Sequence, residues 1–144
     1  MGKLLRLAAE DPSDLEVISA AAQDALMRMG EVKFDSKSRR FSALIARFRW
    51  EAAEGGRFER VQSGLSFESV LSVRSKRVRT EAPDALASVL SISFSPDSEP
   101  PGGVITLILA GGGEIALRVE CIDAALVDMG DSWRTSRRPD HDKP

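Results

Sequence analysis

The 144-residue chain contains no tyrosine and has one cysteine, Cys121, and one histidine, His141. A lone cysteine forms no internal disulfide, and its count leans towards a reducing compartment. One cysteine and one remote histidine do not make the converging ligand set of a zinc centre. Proton transfer near neutral pH usually recruits histidine. His141 stands between Asp140 and Asp142 in a polar tail, where nothing holds a base rigid. Long apolar runs are missing too: the strongest, residues 104–110, falls far short of the roughly 20 residues of a membrane span. The opening MGKLLRLAAE is interrupted by Arg6, so it lacks a signal-peptide core. Arg6 also occupies the position where a myristoylation motif after Gly2 requires Ser or Thr. The expectation is a cytoplasmic protein with no cofactor, no metal site and no membrane partner.

What the chain does contain is ordinary for a globular domain, with 42% hydrophobic and 29% charged residues. Its length lets a folded chain hide roughly 70% of the surface that the unfolded chain exposes. The net charge of −2 conceals an uneven distribution. Residues 1–36 carry −3, residues 37–79 carry +7 and residues 80–144 carry −6. The basic middle is either an anion-binding surface or charge that the acidic flanks neutralise on folding.

Local patterns predict the elements. Asp11 is a good N-cap, Pro12 suits the first helical position, and Asp14 stands in the capping-box position. With Leu15, Ile18, Ala22 and Ala25 at helical spacing, this predicts a helix over 12–24. Met27, Met29, Val32 and Phe34 then suggest short strands around Gly30. A strand over 41–51 reads with Leu44, Ala46, Phe48 and Trp50 on the core face, and Ile45, Arg47 and Arg49 opposite, meeting solvent at the far end. Residues 65–78 suggest a further strand with Phe67, Leu71 and Val73 on one side, although Phe67, Val70, Leu71 and Arg74 also fit a helical face. In 86–95, Leu90, Ile92 and Phe94 alternate against Val89, Ser91 and Ser93. The sharpest signal is a hairpin: residues 104–110, then Gly111, Gly112 and Gly113, then 114–121 with Ile115, Leu117, Val119 and Cys121 inward. Asp123 then reads as the cap of a short helix through Leu126 and Met129, ended by Gly130.

Residues 1–130 are thus expected to form one α+β domain, and 131–144 a loose tail in which Trp133 folds back as an anchor. The sheet is expected to be mainly antiparallel, with six or seven strands and a helix at each end. The same order of elements also suits a pleckstrin-homology-like split barrel. The Gly111, Gly112 and Gly113 run lacks the Lys-Ser/Thr of a phosphate loop, and Cys121 reads as a packed thiol.

One feature points to a partner. Arg47 and Arg49 share a strand face, with Arg39 and Arg40 at the strand's start and Arg57 beyond it. Lys76, Arg77 and Arg79 extend the patch if the two strands pair, and Arg134, Arg137 and Arg138 could join from the tail. Such a surface offers guanidinium groups to an acidic partner or to phosphates. Phe48 and Trp50 fall on the opposite face, which counts against base stacking. The leading expectation is a non-catalytic binding or adaptor protein whose partner is an acidic protein or a second copy of the chain. RNA or DNA binding through the basic strand is the alternative, and a cryptic enzyme using carboxylates and arginines is a third.

The segments Phe48-Arg49-Trp50-Glu51, Ala110-Gly111-Gly112-Gly113, Val119-Glu120-Cys121-Ile122-Asp123 and Trp133-Arg134-Thr135, with Arg137-Arg138-Pro139, are similar to a bacterial domain-of-unknown-function family, number 2948 in its series. The similarity covers nearly the whole chain. It implies a stand-alone bacterial cytoplasmic protein and carries over no catalytic residue.

Overall fold

The computed structural model describes residues 4–79 and 82–135. In chain order the elements are β1 (Arg6–Ala9), α1 (Pro12–Ala21), β2 (Leu26–Asp35), β3 (Arg40–Phe48), α2 (Trp50–Ala53) and β4 (Glu59–Phe67). They continue with β5 (Val70–Lys76), β6 (Leu86–Pro96), β7 (Gly103–Leu109), β8 (Glu114–Val119) and β9 (Ala124–Arg134). All strand pairs are antiparallel, in the order β1-β9-β4-β3-β2-β6-β7-β8-β5. The α+β, mainly antiparallel reading holds, with nine strands where six or seven were expected.

One strand, β6, and one corner, between β4 and β5, carry the sheet around the core. β6 pairs with β2 through Leu86, Ala87 and Ser88, then with β7 from Val89 onward, so it belongs to both halves. β4 and β5 are separated only by Glu68 and Ser69, with Ser69 at φ 58°. That corner sends the chain from the interior of the first half to the outer edge of the second. The core between them joins Leu15 and Ile18 of α1 to Met27, Phe41, Ile45, Leu65, Phe67, Leu107, Leu117 and Leu126. The Phe41 and Phe67 rings meet at 6.2 Å between centroids. Side chains as fully buried as Leu15 and Ile18 contribute roughly 1.5–3 kcal/mol each. The Asp11 side chain caps α1, accepting from the Asp14 N–H at 2.8 Å, and the helix ends at Ala21, three residues earlier than its apolar spacing suggests.

Four sequence-based expectations are corrected. The segment after Asp123 is not a helix but β9, paired with β1 and β4; Ala124, Leu126 and Asp128 alternate inward, a period of two that Asp128 disguises. The closing helix of a split barrel is therefore replaced by a strand. That strand runs on through Asp131 to Arg134, where a loose tail was expected; residues 136–144, with His141, Arg137 and Arg138, lie outside the described residues. In β3 the phase is inverted: Phe41, Ala43, Ile45 and Arg47 face the core, Ser42, Leu44 and Ala46 face away, and Trp50 opens α2. In β6 a bulge opposes Val89 to Leu109 and Ser91 to Ile108, so Val89 and Ile92 are both buried and Leu90 is turned out.

The β7–β8 hairpin forms as expected, with Gly111 and Gly112 at φ 85° and 88°, a region costly for side-chain-bearing residues. Cys121 lies beyond β8 and is half-buried, not in the core.

Candidate functional site

The most concentrated set of polar side chains lies inside the first half of the sheet. Its centre is Arg47, fully buried on the core face of β3. Its Nε and Nη2 donate to Oδ1 and Oδ2 of Asp128 at 2.9 and 2.8 Å. Nη1 and Nη2 donate to Oε1 and Oε2 of Glu51 at 3.0 and 2.8 Å. The remaining Nη1 hydrogen goes to the Phe48 carbonyl at 3.3 Å. All five guanidinium N–H groups are thereby used, two pairs of them in the fork geometry that arginine offers carboxylates.

Asp128 is equally saturated. Besides Arg47 it accepts from Ser63 Oγ at 2.7 Å and from the Leu5 amide at 2.8 Å. The Asp128 amide in turn donates to the Leu5 carbonyl at 2.9 Å. Burial would raise the Asp128 pKa, but the Arg47, Leu5 and Ser63 hydrogen bonds and the Arg47 charge outweigh it and hold it below the usual carboxylate range. Glu51 is held low in the same way, chiefly by its hydrogen bond to Arg47. For Arg47 burial works against the charge, yet Glu51 and Asp128 reverse the balance and raise its pKa.

Neighbouring arginines are absorbed likewise. Buried Arg49 pairs with Glu59 and stands 3.5 Å from Glu51. Arg60 donates to the carbonyls of Ala46 and Asp24 at 2.8 and 3.2 Å, and its guanidinium sits 5.8 Å from the centre of the Phe48 ring. Burial lowers its pKa, with Asp24 opposing. Phe48 in turn packs edge-on against Trp50 at 4.6 Å, whose Nε1 donates to the Gln23 carbonyl.

No described residue covers the opposite face of the same strands. Register places three rows across it: Ala8, Ala125, Ser66, Ser42 and Lys33; then Arg6, Val127, Gly64 and Leu44; then Met129, Gln62, Ala46 and Leu26. Small residues dominate the middle, so the face is a trough of two adjoining hollows, about 360 and 390 Å³, which share Glu31 and Leu44. Trp133 and Met129 stand in its walls, 46% and 48% exposed. A side chain on Gly64 would meet Met129 Sδ at 3.3 Å, so the glycine keeps the floor low. Leu15 and Ile18 of α1 belong to the core on the other side of the sheet. Around the trough, exposed Arg6, Arg28 and Lys33 have no ion-pair partner among the described residues.

A family model described as a protein of unknown function, DUF2948, matches residues 5–141. The chain belongs to this family. The match spans β1 to β9, and so includes both the buried network and the trough. No curated protein and no solved structure matches the chain.

In this DUF2948 chain the arginines expected on one surface are dispersed. Arg47 and Arg49 are inside and ion-paired: β3 turns Arg47 inward with Phe41, Ala43 and Ile45, and Arg49 follows the strand as the N-cap of α2. Arg39 pairs with Glu120 and Arg40 with Glu68, both on the surface. Arg57 is exposed after α2. Lys76, Arg77 and Arg79 are exposed but do not extend the β3 patch: β5 pairs with β8 at the far edge, and β3 lies between β2 and β4. Arg77 and Arg79 do come together, lining one cleft. Sequence reading missed Asp128, Glu51, Ser63 and Glu59 as partners of the arginines, and missed the trough altogether. The available signal was that Phe41, Ala43 and Ile45 are as apolar a set as Leu44, Ala46 and Phe48. Among the described residues no cluster of three His, Cys, Asp or Glu could hold a metal ion, and no helix is long and apolar enough to cross a membrane.

Proposed function

We propose that the chain is a small non-catalytic binding protein of the bacterial cytoplasm that docks an acidic, extended segment of a partner protein in the trough. The observation that carries this reading is the sheet face that no described residue covers: a low floor at Gly64 between half-exposed Met129 and Trp133, with Arg28 and Lys33 in its lining, Arg6 beside it, and Glu31 as the one acidic side chain among the described lining residues. An extended segment presents side chains with a period of two and can lay apolar residues on such a face while its carboxylates reach the rim cations. The non-catalytic part of the reading draws on the arginine–carboxylate network, where the five Arg47 donors are spent on Asp128, Glu51 and the Phe48 carbonyl. Binding to RNA or DNA is the less favoured reading, because Arg47 and Arg49, on which it leaned, are enclosed.

The test is selection from a displayed library of random peptides on the folded chain. The expected winners combine Asp or Glu with Leu, Ile, Val or aromatic residues. They lose at least about tenfold in affinity, roughly 1.4 kcal/mol, on Met129→Glu. Absence of enrichment, selection of basic peptides, or binding indifferent to that substitution defeats the proposal. So does self-association through this face in sedimentation, which assigns it to a dimer, or salt-steep RNA binding that the same substitution abolishes.

A further inference from the structure

A second cleft opens where β2 leaves β6, next to the β7–β8 turn. It encloses about 410 Å³ and is lined by Met29, Val78, Leu86 and Leu109, with Arg77 and Arg79 at its mouth. Among the described residues no acidic side chain lines it and neither arginine has an ion-pair partner.

The placement of Arg77 is specified by the fold. Its backbone is left-handed, at φ 56°, a conformation that is unusual for a residue with a side chain. The side chain lies across the glycine turn: a Cβ on Gly112 would meet its Nη1 at 3.4 Å, and one on Gly113 would meet the Arg77 carbonyl at 3.0 Å. The bare turn thus lets Arg77 lie beside the cleft. Clefts of roughly 300–1,000 Å³ with apolar walls and a few convergent polar groups are the usual form of small-ligand sites.

We propose that this cleft binds a small amphipathic anion, its carboxylate or phosphate on Arg77 and Arg79 and its apolar body on Val78, Leu86, Met29 and Leu109. The apolar floor separates such a ligand from a bare inorganic anion, which leaves that floor wet. The head group separates it from a neutral alkane or alcohol, which leaves both guanidinium groups unused. The cleft adjoins the trough, sharing Leu26 and Leu86 with its first hollow, whereas Arg77, Val78 and Arg79 line the cleft and neither hollow of the trough.

The experiment is a titration of the full chain with octanoate, octyl phosphate and octanol, followed by backbone amide NMR. Saturable shifts are expected at Val78, Gly112 and Gly113, with Gly64 and Val127 as silent controls. Octanol should bind at least tenfold more weakly than the better anion, and Arg77→Gln with Arg79→Gln should cost the anion at least tenfold. Both arginines are exposed, so the double variant should keep its amide spectrum away from the cleft. The stronger of octanoate and octyl phosphate identifies the head group. Non-saturable shifts, equal binding of octanol, shifts centred on Gly64, or indifference to the double variant overturns the proposal.

Discussion

Arg47 and Asp128, 81 residues apart in sequence, face each other in the sheet interior through two parallel hydrogen bonds of 2.9 and 2.8 Å. Both side chains are closed to solvent, at 0% and 1% exposure. Removing one member of a buried pair strands the other charge, at a cost of about 3–5 kcal/mol, whereas replacing both with apolar groups is often tolerated. Arg47→Met is therefore expected to lower stability at neutral pH by about that amount. Arg47→Met combined with Asp128→Leu should cost clearly less than the sum of the two single changes. Urea unfolding of the three variants decides this; additive losses would mean that the two residues act independently.

The same carboxylates set the acid limit of the fold. Arg47 holds the folded-state pKa values of Asp128 and Glu51 below their ordinary range, with the other hydrogen bonds assisting. On acidification the unfolded chain takes up protons first, near pH 4, so stability rises with pH there and falls as pH drops towards the folded values. Above about pH 5 this contribution is fully present. Ser63→Ala removes one donor to Asp128, and so should raise its folded pKa and flatten the fall between about pH 5 and pH 3. Urea midpoints across that range provide the measurement, and identical slopes in the two proteins would contradict the assignment.

This pair also marks where sequence reading stops. The helix cap at Asp11, the β7–β8 hairpin and the strands β3 and β6 are written in neighbouring residues, and all form. The phase of β3 is not, because its two faces are almost equally apolar and the residue that settles the matter is Asp128, far along the chain. Without Arg47 in view, Asp128 and Gly130 resemble the polar face and end of a helix, and β9 goes unseen. The trough was hidden for a related reason: Gly64, Ser66, Ser42 and Ala46 form a floor only once four strands are in register.

Two glycines in strands should respond to alanine to different extents. A Cβ on Gly103 would lie 2.4 Å from the Ser95 carbonyl oxygen and 2.7 Å from the Phe94 ring, so backbone must move. Gly103→Ala should therefore destabilise by about 1–3 kcal/mol, as overpacking does. Gly64→Ala meets only the flexible end of Met129 at 3.3 Å and should change stability by less than about 1 kcal/mol. Thermal unfolding separates the two, and equal losses would place Gly64 under the same constraint as Gly103.

Gly64→Val carries that contrast from stability to binding. The branched side chain suits a strand, and the group it presses is a half-exposed methionine thioether, so the fold should persist with a midpoint near that of the parent. It fills the floor between Leu44 and Val127, directly opposite each other across β4, and lifts Met129 into the path of an extended segment. A peptide selected on the parent chain should lose at least about tenfold in affinity for this variant. Leu71→Glu, on the exposed edge of β5, should leave the same peptide's affinity unchanged. If the two substitutions weaken binding equally, the segment docks on the β5 edge or through the fold as a whole, and the trough is not its seat.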